Sequence, residues 1–230
     1  MKWELHAHSS ETSLCGHVPA ADGVKWYAEK GYTGLVLMDH YNARTLDELS
    51  GTAAEKVKAW LRGYECALEA GEKYGLRVLF GLEARLPGRD NDFLIFGTSP
   101  EFLYAHANLY LGTLPELHRS VREAGGLLIQ AHPFRKDTCY PENADDLDGV
   151  EVFNGCPRHE SFNEQAEAFA ELHPHLIRTS GSDFHRPEDL AIGGIETERD
   201  ILTGRDLVAC LKDGAYTLIR NTASHGGQSK

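Results

Sequence analysis

Seven short apolar segments that alternate with helical stretches restrict the fold of this chain more than any other feature of its sequence. They are predicted as strands over residues 2–8, 34–38, 77–81, 93–96, 127–130, 149–153 and 177–180. Helices are predicted over 19–30, 52–74, 161–172 and 204–213, with a broken helical region that ends at 124. Such alternation favours parallel βαβ units. At 230 residues the chain is long enough for one large α/β domain.

Most of these strands end in residue types that bind metal ions. The residues at the strand ends are His6, His8, His40, Glu83, His132, Asp183 and His185. Side chains two positions apart on a strand point to the same face, so His6 and His8 can bind one ion side by side. Ligands of α/β folds bind at the carboxyl ends of the strands. The pattern therefore predicts a metal site at one mouth of the fold, and its imidazole and carboxylate ligands favour zinc, manganese or iron.

The motifs around these residues resemble, in order, those of the polymerase and histidinol phosphatase (PHP) family. They are H-A-H-S…C-G-H, M-D-H, G-L-E, A-H-P and G-S-D-F-H, and they span residues 6 to 185. The resemblance implies a distorted (β/α)7 TIM-like barrel that hydrolyses phosphate esters with two or three divalent metal ions. We therefore expect a single domain of this kind over residues 1–222 and a polar, disordered tail over 223–230.

The resemblance also implies how the first two ions are held. His6 and His8 are expected to bind one metal together with Asp183 and Glu83. Glu83 is expected to bridge to a second metal, which also takes His132. A bridging carboxylate is what holds two cations close together, and a pair of metals about 3.5–4 Å apart can clamp a phosphoryl group and activate a shared water.

The third ion and one ligand of the second are matched less directly. His17, which the C-G-H motif places, is expected to bind the third metal with His40 and His185. The family usually supplies a further histidine for the second metal, and in one branch it comes just before the fourth strand. Asn91-Asp92 stands at that place here, so Asp92 is the predicted ligand and His106 is the alternative. If neither binds, the site holds two metals or a weakly bound third.

Three residues are candidates for direct roles in catalysis. Arg135 follows A-H-P-F and is suited to bind a phosphate through two hydrogen bonds, although a loop arginine in solvent is the alternative interpretation. Asp183, or a histidine of the cluster such as His185, is expected to handle the proton. A metal-activated water is the expected nucleophile, so the protein needs no strong nucleophile of its own.

The formal net charge of −12 restricts the partners of the chain. Such a charge repels nucleic-acid backbones and anionic membranes, so neither a long nucleic acid nor a membrane is an expected partner. It is compatible with a small phosphorylated substrate, because several divalent cations would make the pocket itself positive. A small phosphomonoester is therefore the predicted substrate.

Three further functions are compatible with the same motifs. The C-G-H loop favours histidinol-phosphate phosphatase, an enzyme of histidine biosynthesis, as the first alternative. The family also includes nucleases and nucleotide hydrolases, so a nucleotide phosphodiesterase or exonuclease-like hydrolase is the second. A metal-binding module without catalysis is the third, and the complete set of ligand residues counts against it.

The N-terminal residues and the cysteines bear on the location of the protein. The start MKWELHAH lacks the apolar core of a signal peptide, and no apolar run approaches the roughly 18 residues that span a bilayer. The five cysteines are odd in number and scattered, which favours reduced thiols over a disulfide framework. We therefore expect a cytoplasmic protein. Cys15 is interpreted as a small packed residue, with metal contact or redox sensitivity as the alternative.

Overall fold

Ten strands and eight α-helices make up residues 1–221, the part of the chain that the computed structural model describes. The strands are β1 (Lys2–Ala7), β2 (Gly34–Leu37), β3 (His40–Tyr41), β4 (Arg77–Arg85), β5 (Asp92–Phe96), β6 (Leu127–Gln130), β7 (Gly149–Asn154), β8 (Ile177–Gly181), β9 (Gly193–Glu196) and β10 (Thr217–Arg220). The helices are α1 (Ala20–Glu29), α2 (Ala43–Asp47), α3 (Ala53–Trp60), α4 (Arg62–Tyr74), α5 (Pro100–Ala105), α6 (Leu114–Glu123), α7 (Asn163–Leu172) and α8 (Gly204–Asp213). The predicted tail over 223–230 lies outside the described residues.

Seven of the strands form a barrel in the order β1-β2-β4-β5-β6-β7-β8. The barrel closes where the end of β1 meets the residues after β8. The His8 N–H donates to the Phe184 carbonyl at 2.9 Å, and the Phe184 N–H donates to the His6 carbonyl at 3.1 Å. β9 and β10 extend the sheet beyond β1 as antiparallel strands, and the two-residue β3 pairs with the end of β4. The distorted TIM-like barrel is therefore confirmed.

One strand departs from the predicted parallel pattern. β5 runs antiparallel to both β4 and β6. Only residues 86–91 connect β4 to β5, and a parallel pair needs a crossover connection of a dozen or more residues. The chain therefore turns back directly through the glycine-containing segment around Gly88, whose φ is 68°. This reversal is the main distortion of the barrel, and it places the start of β5 at the same end as the carboxyl ends of the parallel strands.

The helix that was predicted over 52–74 is two helices. α3 begins with a capping box in which Thr52 and Glu55 each bond to the backbone of the other. Leu61 separates α3 from α4 with ψ near −5°, and Gly75 ends α4 in the left-handed conformation that glycine adopts without strain. The break lets Trp60 donate its ring N–H to the His40 carbonyl at 2.8 Å, which ties the helix pair to the strand end that carries His40.

A buried glutamate fastens β1 to the end of β8. Glu4 accepts hydrogen bonds from the N–H of Ser182 at 2.9 Å, from the Ser182 hydroxyl at 2.5 Å and from the Tyr27 hydroxyl at 2.8 Å. Its Oε1 also accepts from the His6 N–H at 2.9 Å. Because Ser182 directly precedes Asp183, these bonds set the two histidines of β1 against that aspartate.

The hydrophobic core follows from the apolar strands. One cluster of buried side chains joins Trp3 and Leu5 of β1 to β2, β4, β5, β6 and β9, and Leu207 and Leu211 of α8 belong to it. Burying side chains of this size stabilises a fold by about 1.5–3 kcal/mol each. Within residues 1–221, no helix combines the length and the apolar character that crossing a bilayer would require.

Candidate metal centre

Four of the strand-end residues enclose the first predicted ion position. His6 Nε2 lies 3.4 Å from Glu83 Oε1 and 3.5 Å from Asp183 Oδ1. His8 Nε2 lies 3.5 Å from Glu83 Oε2 and 3.5 Å from the same Asp183 oxygen. All four side chains are buried. Two imidazoles and two carboxylates therefore face one small space at the mouth of the barrel, and their role as ligands stays a prediction.

The residues predicted for the second ion also lie beside Glu83. His132 Nε2 is 3.2 Å from Glu83 Oε1 and 3.9 Å from Asp92 Oδ2. Asp92 is buried at the start of β5, and Arg85 donates two hydrogen bonds to its carboxylate at 2.7 and 2.5 Å. The alternative residue, His106, lies elsewhere, because its Nδ1 is 2.9 Å from the Phe102 carbonyl at the end of α5. Of the two candidates, the fold brings only Asp92 to the cluster.

The residues predicted for the third ion are only partly assembled. Nitrogen atoms of His8, His40 and His185 lie within 4.8 Å of one another, and His40 Nδ1 is 2.7 Å from Glu83 Oε2. His17 lines the same mouth, but its side chain is exposed and faces Arg186 at 3.4 Å. Its role as a ligand stays a prediction. His8 occupies the position beside His40 and His185 that the prediction gave to His17.

Cys15 is exposed at this mouth rather than packed in the core. Its Sγ lies 3.1 Å from His185 Nε2. Burial raises the pKa of the thiol, but hydrogen bonds with His185 and His40 outweigh this effect and lower the pKa to about 6. The sequence interpretation missed this contact, which depends on how the loop after β1 folds back over the strand ends.

Buried polar atoms without partners test whether a cation fits here. Among residues 1–221, His6 Nε2, His8 Nε2, His40 Nδ1 and Glu83 Oε2 are buried and make no hydrogen bond. His40 Nδ1 and Glu83 Oε2 are close but not aligned as donor and acceptor. A buried polar atom left unsatisfied costs about 1–3 kcal/mol. These four atoms are metal-ligand types that face one space, so the donor set fits divalent cations.

The charges of the cluster reinforce one another. Burial raises the pKa of Glu83, but the nearby His40 and His6 outweigh it and hold that pKa well below its usual value. Burial lowers the pKa of His6, yet the carboxylates of Glu151, Asp183 and Glu83 raise it well above the usual value. The carboxylates therefore stay ionised, and without cations protons would occupy part of the histidine cluster. A cation replaces such protons, because a metal ligand must be deprotonated.

Two residues of the cluster have strained backbones. The φ angles of His132 and Asp183 are 28° and 52°, in the left-handed region that residues with a side chain rarely adopt. Such conformations cost about 1–3 kcal/mol and persist where the surrounding structure imposes them. At His132 the N–H donates to Glu151 Oε2 at 3.0 Å. The strain turns both side chains toward the cluster.

Glu151 on β7 orients the ligands from behind, and the sequence interpretation missed it. Its Oε1 accepts from His6 Nδ1 at 2.9 Å, while its Oε2 accepts from the His132 N–H and from Asn154 Nδ2 at 2.8 Å. A ligating histidine commonly donates its second N–H to a carboxylate, which fixes the tautomer and makes the other nitrogen more basic. The only feature of the sequence that could have indicated this role is a single glutamate inside the apolar segment G-V-E-V-F.

Asp39 supports the other histidine of β1 through two serines. Its carboxylate accepts from the Ser9 N–H at 2.7 Å, from the Ser9 hydroxyl at 2.6 Å and from the Ser13 hydroxyl at 2.7 Å. Ser13 Oγ in turn lies 3.2 Å from His8 Nδ1. Asp39 therefore points away from the ion positions and fixes the loop that holds His8 in place.

Arg135 reaches the cluster from the loop after β6. One of its terminal nitrogens donates to Asp183 Oδ2 at 2.5 Å and to Asn154 Oδ1 at 3.1 Å. The side chain is largely buried, unlike that of a loop arginine in solvent. It lines a cavity of about 350 Å³ whose wall contains four arginines: Arg85, Arg135, Arg158 and Arg186. The mouth of this acidic protein therefore presents cations next to the ligand carboxylates.

Comparison with solved structures places the fold, whereas no protein-family model and no curated protein sequence matches the chain. A two-domain protein of Bacteroides vulgatus containing a predicted PHP-like metal-dependent phosphoesterase aligns with 96% of this chain at 17% identity and a TM-score of 0.72. A lesion-specific endonuclease of Pyrococcus furiosus aligns with 94% at 15% identity and a TM-score of 0.59. An amidohydrolase of Chromobacterium violaceum aligns with 83% of this chain and 89% of its own at 18% identity, with a TM-score of 0.56.

This chain spans 65% of the Bacteroides protein and 57% of the endonuclease. At these identities the likeness concerns the fold alone, and that fold is the distorted TIM-like barrel that the motifs predicted. Function has to be argued from the cluster described above, because a fold by itself does not fix an activity.

Proposed function

We propose that this protein is a PHP-family hydrolase that cleaves a small phosphomonoester with the help of two or three divalent cations. The observation that carries the proposal is the set of four buried, unpaired ligand atoms on His6, His8, His40 and Glu83. Two of these residues, His40 and Glu83, line a cavity whose wall carries four arginines. Metal-ligand atoms and phosphate-binding cations at one mouth are what phosphoester hydrolysis requires.

We assign the proposed ligands to the ions from the distances between them. His6, His8, Asp183 and Glu83 would hold one ion, and Glu83 with His132 and Asp92 a second. His40 and His185 would hold a third, with His17 the predicted additional ligand. Zinc, manganese or iron suits these donors. When bound, the ions supply an activated water and charge stabilisation for the phosphoryl oxygens.

The remaining groups of the site bind and orient the substrate. Arg135 is placed to donate to a phosphoryl oxygen, since its guanidinium lies beside Asp183 and at the cavity wall. Asp183 has one oxygen toward the histidines of β1 and the other on Arg135. When only two ions are bound, His185 is free of metal and is the better placed of the two candidates to protonate the leaving group, because its Nε2 faces the mouth.

Size and charge support a small substrate over a polymer. The cavity of about 350 Å³ suits a compact molecule, and the net charge of −12 opposes the approach of a long polyanion. The endonuclease among the similar structures supports a nuclease or phosphodiesterase equally well at the level of the fold. Hydrolysis of histidinol phosphate and metal binding without catalysis are the two further candidate functions. A cytoplasmic location stays a prediction.

Phosphate release tests the proposal. Protein stripped with a chelator and reloaded with Mn²⁺ or Zn²⁺ is given histidinol phosphate, sugar phosphates, nucleotides and a simple diester, and inorganic phosphate or the released alcohol is measured. We expect hydrolysis of a monoester that depends on added metal. Asp183→Ala should abolish it with the fold intact, whereas Asp145→Ala, at an exposed aspartate remote from the cluster, should not.

Each contrary result of this assay has a distinct meaning. Hydrolysis of the diester alone would replace the monoester with a phosphodiester as the substrate. Full activity of Asp183→Ala would overturn the assignment of the site. Failure of metal-loaded protein to cleave any ester would favour a metal-binding module without catalysis.

A further inference from the structure

A second cleft opens beside the metal centre and continues from it. It has a volume of about 370 Å³ and shares Cys15, His40 and Arg85 with the wall of the metal cavity. The rest of it is lined by residues from three segments that follow strands β1, β3 and β4 and by a turn between α5 and α6. A substrate whose phosphoryl group occupies the metal cavity would therefore place its remaining part in or near this cleft.

The wall of the cleft is apolar over much of its area. Leu14, Leu86, Pro87, Tyr110 and Leu111 contribute to it. Leu14 and Leu111 are 52% and 56% exposed, which is unusual for leucines that line a concave surface. Apolar walls with a few placed polar groups are typical of small-molecule sites. A flat or apolar ligand group would cover these side chains.

Arginines are the only aspartate, glutamate, lysine or arginine side chains that the described part of the chain places in the cleft wall. Arg44, in the first turn of α2, is exposed, and within residues 1–221 no carboxylate pairs with it and no hydrogen bond engages its side chain. Arg85 is the other arginine of the wall, and Asp92 already occupies it through two hydrogen bonds. No aspartate or glutamate from the described part of the chain lines the cleft. Arg44 is therefore the group that is free to bind a ligand anion here.

We propose that this cleft binds the leaving-group part of the substrate, and that this part carries an apolar ring and a second anionic group that pairs with Arg44. The inference rests on the proposed phosphoesterase function and narrows its substrate class. It disfavours leaving groups with a positive amine, such as that of histidinol phosphate, because like charges repel in a partly enclosed site. Arg44 acts on specificity and has no part in the chemical step.

Binding of non-hydrolysable probes tests the cleft without relying on turnover. Calorimetric titration of the metal-loaded protein compares phenylphosphonate with its 3-carboxy and 4-carboxy derivatives. We expect at least one carboxylate to strengthen binding to the wild type by about tenfold, the size of one charge-assisted hydrogen bond. Arg44→Ala should remove this gain and leave phenylphosphonate binding unchanged. Arg119→Ala, at an exposed arginine of α6, is the matched control.

The contribution of the apolar wall is tested by comparing the binding of a phosphonate that has a ring with one that has none. Leu111→Ser should weaken phenylphosphonate relative to methylphosphonate, whereas Leu172→Ser, at an exposed leucine outside the cleft, should not. If Arg44→Ala and Arg119→Ala bind every carboxylated phosphonate with the same affinity, the inference about the cleft is wrong. Phosphate release by the same protein would still support the proposed function. If none of the phosphonates binds the loaded protein, the assignment of the cleft is also wrong. The phosphate-release assay then decides the proposed function separately.

Discussion

At the scale of single residues, the proposed ligands are oriented by side chains that are not themselves proposed ligands. Glu151 touches His6, His132 and Asn154 at once, and Asp39 acts on His8 through Ser13. Such partners set the tautomer and orientation of the ligands. The strength of metal binding should therefore respond to residues that the motif alone would not select.

Glu151→Gln tests this dependence. Both oxygens of Glu151 accept hydrogen bonds, from His6 on one side and from the His132 backbone and Asn154 on the other. Glutamine replaces one of these oxygens with an NH2 group, so at least one N–H would then face another donor. Loss of such a partner typically weakens metal binding about 10–100-fold. Equilibrium dialysis against Zn²⁺ measures it, with Glu167→Gln on α7 as the control. Unchanged affinity of Glu151→Gln would mean that the histidines are held by packing alone.

Cys15 gives a prediction about pH in the metal-free protein. A thiol whose pKa is lowered to about 6 is mostly thiolate at pH 7, and the thiolate is the reactive form. Iodoacetamide should therefore label Cys15 with a midpoint near pH 6, whereas the buried Cys156, with a pKa raised to about 11, should stay unlabelled. Mass spectrometry of protein labelled briefly at each pH measures the labelled fraction of both cysteines. A midpoint at the ordinary thiol pKa of about 8.5 for Cys15 would contradict the contact with His185.

Residues at strand ends could be predicted from the sequence, because the end of each apolar run is easy to locate. That is why His6, His8, His40, Glu83, His132, Asp183 and His185 come together as expected. Cys15 and Glu151 could not be placed. The position of Cys15 depends on the path of a long loop, and a lone glutamate in an apolar strand does not reveal its partners before the barrel is assembled.

At the scale of elements, the loop after β1 and helix α4 determine where the metal centre can form. Gly63, in the first turn of α4, packs against Ser9, Thr12 and the carboxylate of Asp39. The reversal at β5 was not predicted because alternation suggests parallel strands, although the short connection over 86–91 already excluded a crossover. β9 was missed because Gly193 and Gly194 give it no strand-like pattern.

Gly63→Ala tests this packing. A Cβ atom there would overlap Ser9 Oγ and Asp39 Oδ2, both held by hydrogen bonds. Overpacking of this kind typically costs about 1–3 kcal/mol, which exceeds the roughly 1 kcal/mol that alanine gains over glycine in a helix. Urea unfolding should show a net loss of stability and weaker metal binding. Glu69→Ala, exposed on the same helix, should change neither, and a stabilised Gly63→Ala would contradict the packing.

At the scale of the whole molecule, folding collects the ligands from widely separated parts of the chain. The proposed ions could bind only after β1, β4, β6 and the residues after β8 have met, so their binding would be linked to folding. The net charge of −12 makes the folded protein self-repelling, and cations at the mouth offset part of that repulsion. Metal should therefore stabilise the entire barrel.

Thermal unfolding measures this linkage. At a free metal concentration of about one hundred times the dissociation constant, stability should rise by about 2.7 kcal/mol, and for a domain of this size the melting temperature should rise by roughly 5–10 °C. A chelator should reverse the shift. An identical melting temperature with and without metal would show that the ions bind the unfolded chain equally well or do not bind.

Counting the bound ions tests the central claim most directly. Chelated protein is dialysed against Zn²⁺ or Mn²⁺, and the metal per chain is measured by plasma mass spectrometry for the wild type and for Glu83→Gln, which alters the residue that the first two proposed ion positions share. The account predicts two or three ions per wild-type chain and at least one fewer in the variant. Less than one ion per wild-type chain, or an unchanged count in Glu83→Gln, would contradict it.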